Sequence, residues 1–497
     1  MAKMYVKKNK KIYYISIINN MSSICSSNLT SGFIDLATYD EQEKYLYGGP
    51  DAIAYFVRET RKATWYTIVP VVLSRASGSP QFGQEWSVTI SRAGDYLVNT
   101  WLRVTLPSVQ LSESNQYGDN GRLRWTRNLM HNLVRECAIT FNDLVAARFD
   151  NYHLDFWSAF TVPAGKRTGY NNMIGNINEL IQEHDSATAI PSVTLNLPLP
   201  FFYARDSGVA LPTAALPYND IRITFSFRNW SELLIVDNVT NVDASAASST
   251  CAAVTDLVGG EPQLKCVQVW STYAIVSSDE RKRMACAPRD ILIEQVQTAP
   301  IQTFVPNQNS QPSYDIRFSH SIKALFFACR NKTVSCEWSN YTTASPVPGD
   351  TVVDFYPPCA LDPILNTSLI YENTARLSCM GSDYYSLVNP WYHAPVIPLE
   401  TGYHMYSYSL DFFCLDPMGS TNYGKLTNVS IAPVASQAAI DASNGSGVVA
   451  SGCGNPQKFD FITTAVNYNI VRISGKFCTA SKSKLPFFTK GKNSITC

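Results

Sequence analysis

The sequence predicts an all-β protein made of two successive blocks of strands, each large enough for a sandwich or a barrel. Three observations carry this reading. Period-two alternation recurs along the 497 residues, in segments bounded by Gly, Pro, Asn and Asp. Those segments are rich in β-branched and aromatic residues, while helical periodicity is scarce. A short, highly charged stretch at 279–289 separates the two blocks, and many strands with long loops on either side of it fit two packed-sheet units.

The elements follow in chain order. MAKMYVKKNKKIYYISIINN sets Lys7, Lys8, Lys10 and Lys11 before an apolar run at 12–18, in the manner of a signal peptide, but no small-residue cleavage site follows. Residues 1–20 are therefore read as a disordered basic arm, with Met21 as an alternative start. In the segment 84–90, Trp86, Val88 and Ile90 fall on one face. After a turn at 92–95, Tyr96, Val98, Leu102, Val104 and Leu106 share a face, with Thr100 between them and Asn99, Arg103 and Thr105 opposite; Pro107 ends the strand. Tyr152, Phe156 and Phe160 at i, i+4 spacing predict one short helix.

The run LPLPFFYARDSGVALPTAALPYNDIRITFSF at 197–227 is apolar enough to be buried. Arg205, Asp206 and Asp220 interrupt it, which excludes a membrane-spanning helix, and Pro198, Pro200, Pro212 and Pro217 exclude a core helix. Its end alternates Ile221, Ile223, Phe225 and Phe227 with Arg222, Thr224, Ser226 and Arg228, the mark of a strand with one buried face. Further strands are expected within 267–276, 291–296, 314–327, 403–413 and 459–473, separated by irregular stretches at 230–262 and 432–456. Ser277 and Glu280 form a capping-box pattern that opens a helix over 281–286, closed by Pro288.

Composition narrows the function. Forty basic and forty acidic residues cancel, so no global field recruits nucleic acid or an anionic membrane. Charged residues make up 16% of the chain and aromatics 12%, a balance that suits large cores and subunit contacts. Thirteen cysteines include no C-x-x-C pair, so zinc is not indicated; free, mostly buried thiols in a reducing compartment are expected.

Catalytic patterns are missing. The histidines His131, His153, His184, His320, His393 and His404 form no H-E-x-x-H, and no nucleophile elbow, Walker loop or dinucleotide fingerprint occurs. His131 and His320 lie beside apolar residues and read as structural. His153 with Asp155 could be drawn as a base and its orienter, though i, i+2 side chains diverge on a helix. The basic clusters at 3–11 and 476–492 read as solvated tails. Asn-x-Ser/Thr occurs at Asn28, Asn229, Asn238, Asn331, Asn340, Asn366, Asn428 and Asn444, as chance alone would produce in so Asn-, Ser- and Thr-rich a chain. No catalytic, cofactor-binding or metal-binding residue is nominated, and the chain is expected not to be an enzyme.

Several phrases, read in order, resemble the major capsid proteins of iridoviruses, the invertebrate iridescent-virus group in particular. They include SGFIDLATYDEQEKYLYGG (31–49), FGQEWSVTISRAGDYL (82–97), RWTRNLMHNL (124–133), GYNNMIGN (169–176) and the opening of the 197–227 run. The second block adds DILIEQVQTAP (290–300), YDIRFSHSIKALFF (314–327), GSDYYSLVNPWYHAP (381–395), GSTNYGKLTN (419–428) and NYNIVRISG (467–475). The similarity spans residues 22–475.

It implies a double jelly roll: two eight-stranded antiparallel sandwiches with few short helices. The implied division is an N-terminal arm at 1–46, a first jelly roll at 47–278, a helical linker at 279–289 and a second jelly roll at 290–475, followed by a tail at 476–497. It also implies homotrimers that form pseudo-hexagonal capsomers and tile the outer icosahedral shell of a large double-stranded DNA virus. The expected partners are neighbouring capsomers, minor capsid proteins beneath the shell and the internal viral membrane, the last through the N-terminal arm. Sequence-specific nucleic-acid binding is not expected. Location in the virion, after assembly in the host cytoplasm, follows.

Two departures stand out. Residues 1–20 lack a family counterpart, which favours Met21 as the usual start, and KFCTASKSKLPFFTKGKNSITC replaces the short apolar end of the family, as a frameshifted or read-through end would. The rival class is a carbohydrate-binding or glycan-hydrolysing β-sandwich, since jelly rolls also serve lectins and enzymes. Such a hydrolase needs paired carboxylates; Asp35, Asp150, Asp155 and Glu294 are available, but no spacing nominates two of them.

Overall fold

The computed structural model describes residues 3–8, 11–16, 26–216, 218–238, 248–286, 288–307, 311–344, 361–444, 456–473 and 495–496. The chain divides into two compact units, Met1–Ala63 and Thr64–Cys497. In the first unit, Lys3–Lys8 pairs antiparallel with Lys11–Ser16, and helices Ser26–Ala37 and Glu41–Tyr47 follow. The second helix opens on a capping box in which Asp40 and Glu43 satisfy each other's backbone donors. Residues 1–2, 9–10 and 17–20 of the expected arm lie outside the described residues. Alternating β-branched and aromatic residues on either side of Asn9 and Lys10 suit a hairpin.

The larger unit holds two β-sandwiches. In the first, the four-stranded sheet runs Thr194–Pro198, Tyr96–Thr105, Lys265–Val276, Tyr66–Leu73. The facing sheet runs Ala76–Gly78, Glu85–Thr89, Ile221–Phe227, Val134–Phe141, Leu144–Asp150. One apolar cluster joins their inner faces, with Leu97, Leu102, Val104 and Val269 from one sheet and Trp86, Val88, Ile139, Ile223 and Phe225 from the other. Trp86 stacks on Phe225 at 5.8 Å between ring centroids, across the paired strands Glu85–Thr89 and Ile221–Phe227.

In the second sandwich, Arg289–Thr298, Phe459–Ile473, Ser321–Asn331 and His404–Ser407 form one sheet. The other runs Tyr314–Asp315, Val429–Ala435, Ile364–Tyr371, Thr374–Gly381. Ser321–Asn331 and Phe459–Ile473 are buried on both faces. Leu325, Phe327 and Phe461 face this sandwich's own core, while Ala324, Phe326, Ile462 and Val466 face a helix of the first block. That double burial explains why these segments are compactly apolar instead of alternating. The fold is a double jelly roll. Of the tail, only Ile495–Thr496 lies within the described residues, parallel to Val471 and Arg472.

The 197–227 run resolves into a strand end, three one-turn 3-10 segments (Phe202–Ala204, Ser207–Val209 and Thr213–Ala215) and the strand Ile221–Phe227. Leu197, Phe201, Phe202, Tyr203 and Leu211 are all buried, and prolines punctuate the turns. Pro217 lies outside the described residues.

Several expectations are corrected. Leu97, not Tyr96 or Val98, faces the core, because the pairing with Lys265–Val276 shifts register between Asn99 and Leu97 and so reverses the inward parity. The 314–327 segment is broken before Ser321, where His320 takes a left-handed φ of 66°. Of 403–413 only His404–Ser407 is strand, and the irregular 230–262 holds two strands, Leu234–Asn238 and Ser248–Cys251. The helix at 152–160 is present as Asn151–Thr161, joined by Leu129–Leu133, Ala164–Ile174 and Asn178–Ile181, which the sequence reading did not anticipate. Separately, the linker helix spans Ser278–Cys286, and the compact N-terminal unit runs to Ala63.

The Ile221–Phe227 strand allows a direct test. Phe225 is fully buried, whereas Thr224 is half-buried on the other face. Phe225→Ala should cost about 3–5 kcal/mol and Thr224→Ala about 0.5 kcal/mol. Thermal melts of the two variants check this; equal losses would contradict a one-sided core strand.

Candidate functional site: a buried joint and uncovered apolar faces

Residues 332–344 leave the second sandwich as an irregular loop, yet most of this tongue is buried. Buried irregular backbone must find partners, and Asn side chains supply them. Asn331 Nδ2 donates to the Thr342 carbonyl at 3.3 Å and to Gln457 Oε1 at 3.0 Å, while Asn340 Oδ1 accepts from the Thr342 amide at 3.1 Å. Asn331 and Asn340, both starts of Asn-x-Thr, are thus internal structural residues.

The tongue's side chains complete sites on the first block. Asp155, buried on helix Asn151–Thr161, accepts from Asn128 and His131 of its own block at 3.2 and 2.7 Å. From the tongue it accepts Ser339 Oγ and Tyr341 Oη, each at 2.8 Å. Tyr170 lies 2.7 Å from the other ring nitrogen of His131, so assigning the His131 proton to Nδ1 gives every member of the chain a partner. Arg124 donates to Asp237 at 2.6 Å and across the joint to Glu337 at 2.8 Å. Trp338 is sandwiched between two guanidiniums, Arg228 at 3.6 Å from the ring centroid and Arg330 at 3.9 Å. Beside the tongue, Glu294 pairs with Arg205 at 2.9 Å and Lys323 at 2.5 Å, and Arg127 pairs with Glu400 at 2.6 Å. Phe156 and Phe160 add the apolar half, packing on Phe326 at 6.1 and 5.5 Å.

Burial governs titration in this joint. It opposes the Arg124 charge, but the Asp237 and Glu337 carboxylates overcome it and hold the guanidinium more firmly protonated than usual. Burial, with Arg205 adding, brings His153 down to about 3, so it is neutral. Burial and then Asp237 push the Glu183 carboxyl up to about 7, against the pull of Arg124 and Arg122.

The arrangement does not assemble a reaction centre from the residues weighed in the sequence. Asp155 bonds His131, not His153, and Ser339 donates to the carboxylate instead of to an imidazole, so the order needed to activate a nucleophile is lacking. Asp150 caps its helix by accepting the His153 amide at 2.9 Å, Glu294 is held by two cations, and Asp35 lies on an exposed helix of the N-terminal unit. His404 pairs with Asp362 at 2.7 Å, His393 bonds the Leu410 carbonyl at 2.9 Å and His184 the Glu179 carbonyl at 3.0 Å. Among the described residues, no group of three or more His, Cys, Asp or Glu side chains is placed to hold a metal. No described helix is long and apolar enough to cross a membrane.

What the larger unit does present is uncovered apolar surface. The edge strand Tyr66–Leu73 leaves Tyr66 55% and Ile68 53% exposed. On the second sandwich, Trp391 and Tyr392 are 70% and 72% exposed, and Leu387, Leu410 and Met418 are uncovered too. The Phe412 amide bonds the His393 carbonyl and so ties the 408–418 loop to that helical segment, while a Leu410–Met418 bond closes the loop on itself. In the N-terminal unit, Leu29, Phe33, Ile34 and Leu36 are exposed along one helix.

Comparison with known proteins gives these surfaces a context. Residues 54–276 match the major capsid protein N-terminus family and residues 280–477 the large eukaryotic DNA virus major capsid protein family. The major capsid protein of Costelytra zealandica iridescent virus is 63% identical over 456 residues, covering 91% of this chain and 98% of that one. The chain belongs to the iridovirus major capsid protein family. The major capsid protein of Invertebrate iridescent virus 6 is 62% identical, covering 91% of this chain and 98% of its own, and that of Frog virus 3 is 47% identical with the same coverage. Among solved structures, the PBCV-1 virus capsid matches with a TM-score of 0.66 at 19% identity, covering 85% of this chain and 98% of that one. The Faustovirus major capsid protein matches at 0.61 and 11%, covering 90% and 97%. These relatives are capsid proteins, and the rival reading as a sugar-binding or sugar-cleaving sandwich finds no support in them.

Glu183 supplies a test of the joint. Its folded pKa lies above the ordinary 4.5, so its contribution is fully present below pH 4.5 and is lost as pH rises through about 7. Glu183→Gln removes that loss. Melts across this range should match wild type below pH 4.5 and exceed it by about 1 kcal/mol above pH 7, a figure reduced for solvent screening of a partly exposed group. A pH-independent difference would contradict the placement of Glu183 beside Asp237.

Proposed function

We propose that this chain is a subunit of the outer icosahedral shell of a large double-stranded DNA virus, acting as a homotrimer whose six jelly rolls make a pseudo-hexagonal capsomer. The observation that carries the proposal is the concentration of exposed large apolar side chains on the edge strand Tyr66–Leu73 and on the segment bearing Trp391 and Tyr392. An isolated soluble subunit rarely leaves such patches open, whereas a tiled one covers them. A trimer of double sandwiches also offers six similar edges from threefold symmetry, which suits a hexagonal lattice.

In this reading the first jelly roll occupies 47–278, the linker 279–289 and the second roll 290–475. Neighbouring capsomers and minor capsid proteins beneath the shell are its partners. The exposed apolar helix Ser26–Ala37 gives the N-terminal arm a surface for the internal membrane. The chain performs no catalysis and reads no nucleic-acid sequence. It resides in the virion after assembly in the host cytoplasm.

Light scattering on the purified full chain should report three times 55.2 kDa. A monodisperse monomer at micromolar concentration would overturn the proposal.

A further inference from the structure

The expectation of free thiols holds for Cys137, Cys266, Cys329, Cys379 and Cys414 but fails at one pair: Cys251 and Cys336 form a disulfide across 85 residues of sequence. Of the free ones, Cys137 and Cys329 are buried, while Cys266 and Cys379 are exposed. The bonded pair joins the two halves of the fold. Cys251 ends Ser248–Cys251, an edge strand of the small sheet that also contains Leu234–Asn238 and Gly121–Trp125 of the first block. Cys336 sits on the tongue of the second block, one residue before Glu337.

We infer that the Cys251–Cys336 pair is a redox latch, which fastens the tongue covalently to the first jelly roll when the protein meets an oxidising medium. Two features support it. The tongue is already seated by bonds that involve no sulfur, from Glu337 to Arg124, Ser339 and Tyr341 to Asp155, and Trp338 Nε1 to the Glu232 carbonyl at 2.8 Å. The reduced chain can therefore fold and bring the two thiols together before any oxidation. Cys336 is fully buried, but Cys251 is partly exposed and lines an open cleft of about 460 Å³ with Arg330, Lys332 and Trp338. A small reagent reaches one sulfur only, so the Cys251 thiolate is the group that attacks first.

The chemistry is a two-step exchange with a low-molecular-weight disulfide such as oxidised glutathione. The Cys251 thiolate attacks one reagent sulfur and expels the first small thiol, forming a mixed disulfide. The Cys336 thiolate then attacks the Cys251 sulfur and expels the second. Two protein thiols and one reagent disulfide thus become one protein disulfide and two reagent thiols. A reducing cytoplasm holds the latch open, and release from it allows closure. Only this last statement rests on the shell-subunit reading; the thiol chemistry does not.

The test uses the full chain purified under reductant, then exchanged into oxidised glutathione. Non-reducing peptide mapping by mass spectrometry should find the Cys251–Cys336 cross-link as the main product, with Cys137 and Cys329 still free. Restoring reductant should lower Tm by about 5 °C without loss of β-sheet circular dichroism, since closing a long loop constrains the unfolded chain. Cys336→Ser should melt at the reduced temperature in either buffer. If alkylation under denaturing conditions finds both thiols still free in the oxidant-treated wild type, or if the cross-link forms and Tm does not move, the latch is refuted. Light scattering on the same samples separates this outcome from the other proposal: a trimer without the cross-link removes only the latch, and a cross-linked monomer removes only the shell subunit.

Discussion

One buried carboxylate carries much of the architecture. Asp155 accepts four hydrogen bonds, two from its own block and two from the tongue of the second. Removing a carboxylate from water costs several kcal/mol, which only a complete set of donors offsets. The low-energy state therefore requires both blocks in one relative position, and any slippage leaves donors and acceptor buried without partners. Arg124 repeats the logic with opposite sign, lying between Asp237 of its own block and Glu337 of the other. Such groups add less to net stability than to uniqueness. The apolar contacts of Phe156 and Phe160 with Phe326 supply attraction, and the polar set supplies registration.

That division of labour suits a shell subunit. A tile needs edges held at fixed angles, and a hinge between the two sandwiches would leave those angles free. The joint removes the hinge by burying a tongue of Asn, Ser, Thr and Trp where a flexible linker could have stood. The linker helix is fixed as well, by the Arg281–Asp95 pair at 2.7 Å. With the interior given to rigidity, the side chains of Tyr66, Ile68, Trp391 and Tyr392 stay uncovered on the outside of the chain.

Legibility from sequence followed the range of the forces involved. The strand Ile221–Phe227 and the face of Trp86, Val88 and Ile90 could be read because alternation is local, and Phe459–Ile473 because β-branched and aromatic residues crowd it. The inward turn of Leu97 could not, since a register shift against Lys265–Val276 is a property of the pair of strands. His131 is legible as a structural histidine, but its partner is not, because Asp155 lies 24 residues away and has His153 beside it in sequence. The tongue left a faint trace: a polar run that nonetheless contains Val334, Cys336, Trp338 and Tyr341. Such a mixture marks a buried polar loop but names none of its partners. The Cys251–Cys336 pair was illegible for the same reason, its spacing carrying no motif.

The central claim is that the polar joint makes two sandwiches unfold as one body. Calorimetry of Asp155→Ala tests it most directly, because the substitution leaves the donors of both blocks buried while touching neither sandwich core. A loss of about 3–5 kcal/mol is expected, with the single wild-type transition split into two, one for each sandwich. A single transition within about 0.5 kcal/mol of wild type would show that apolar packing alone fixes the blocks, and the claim would fail.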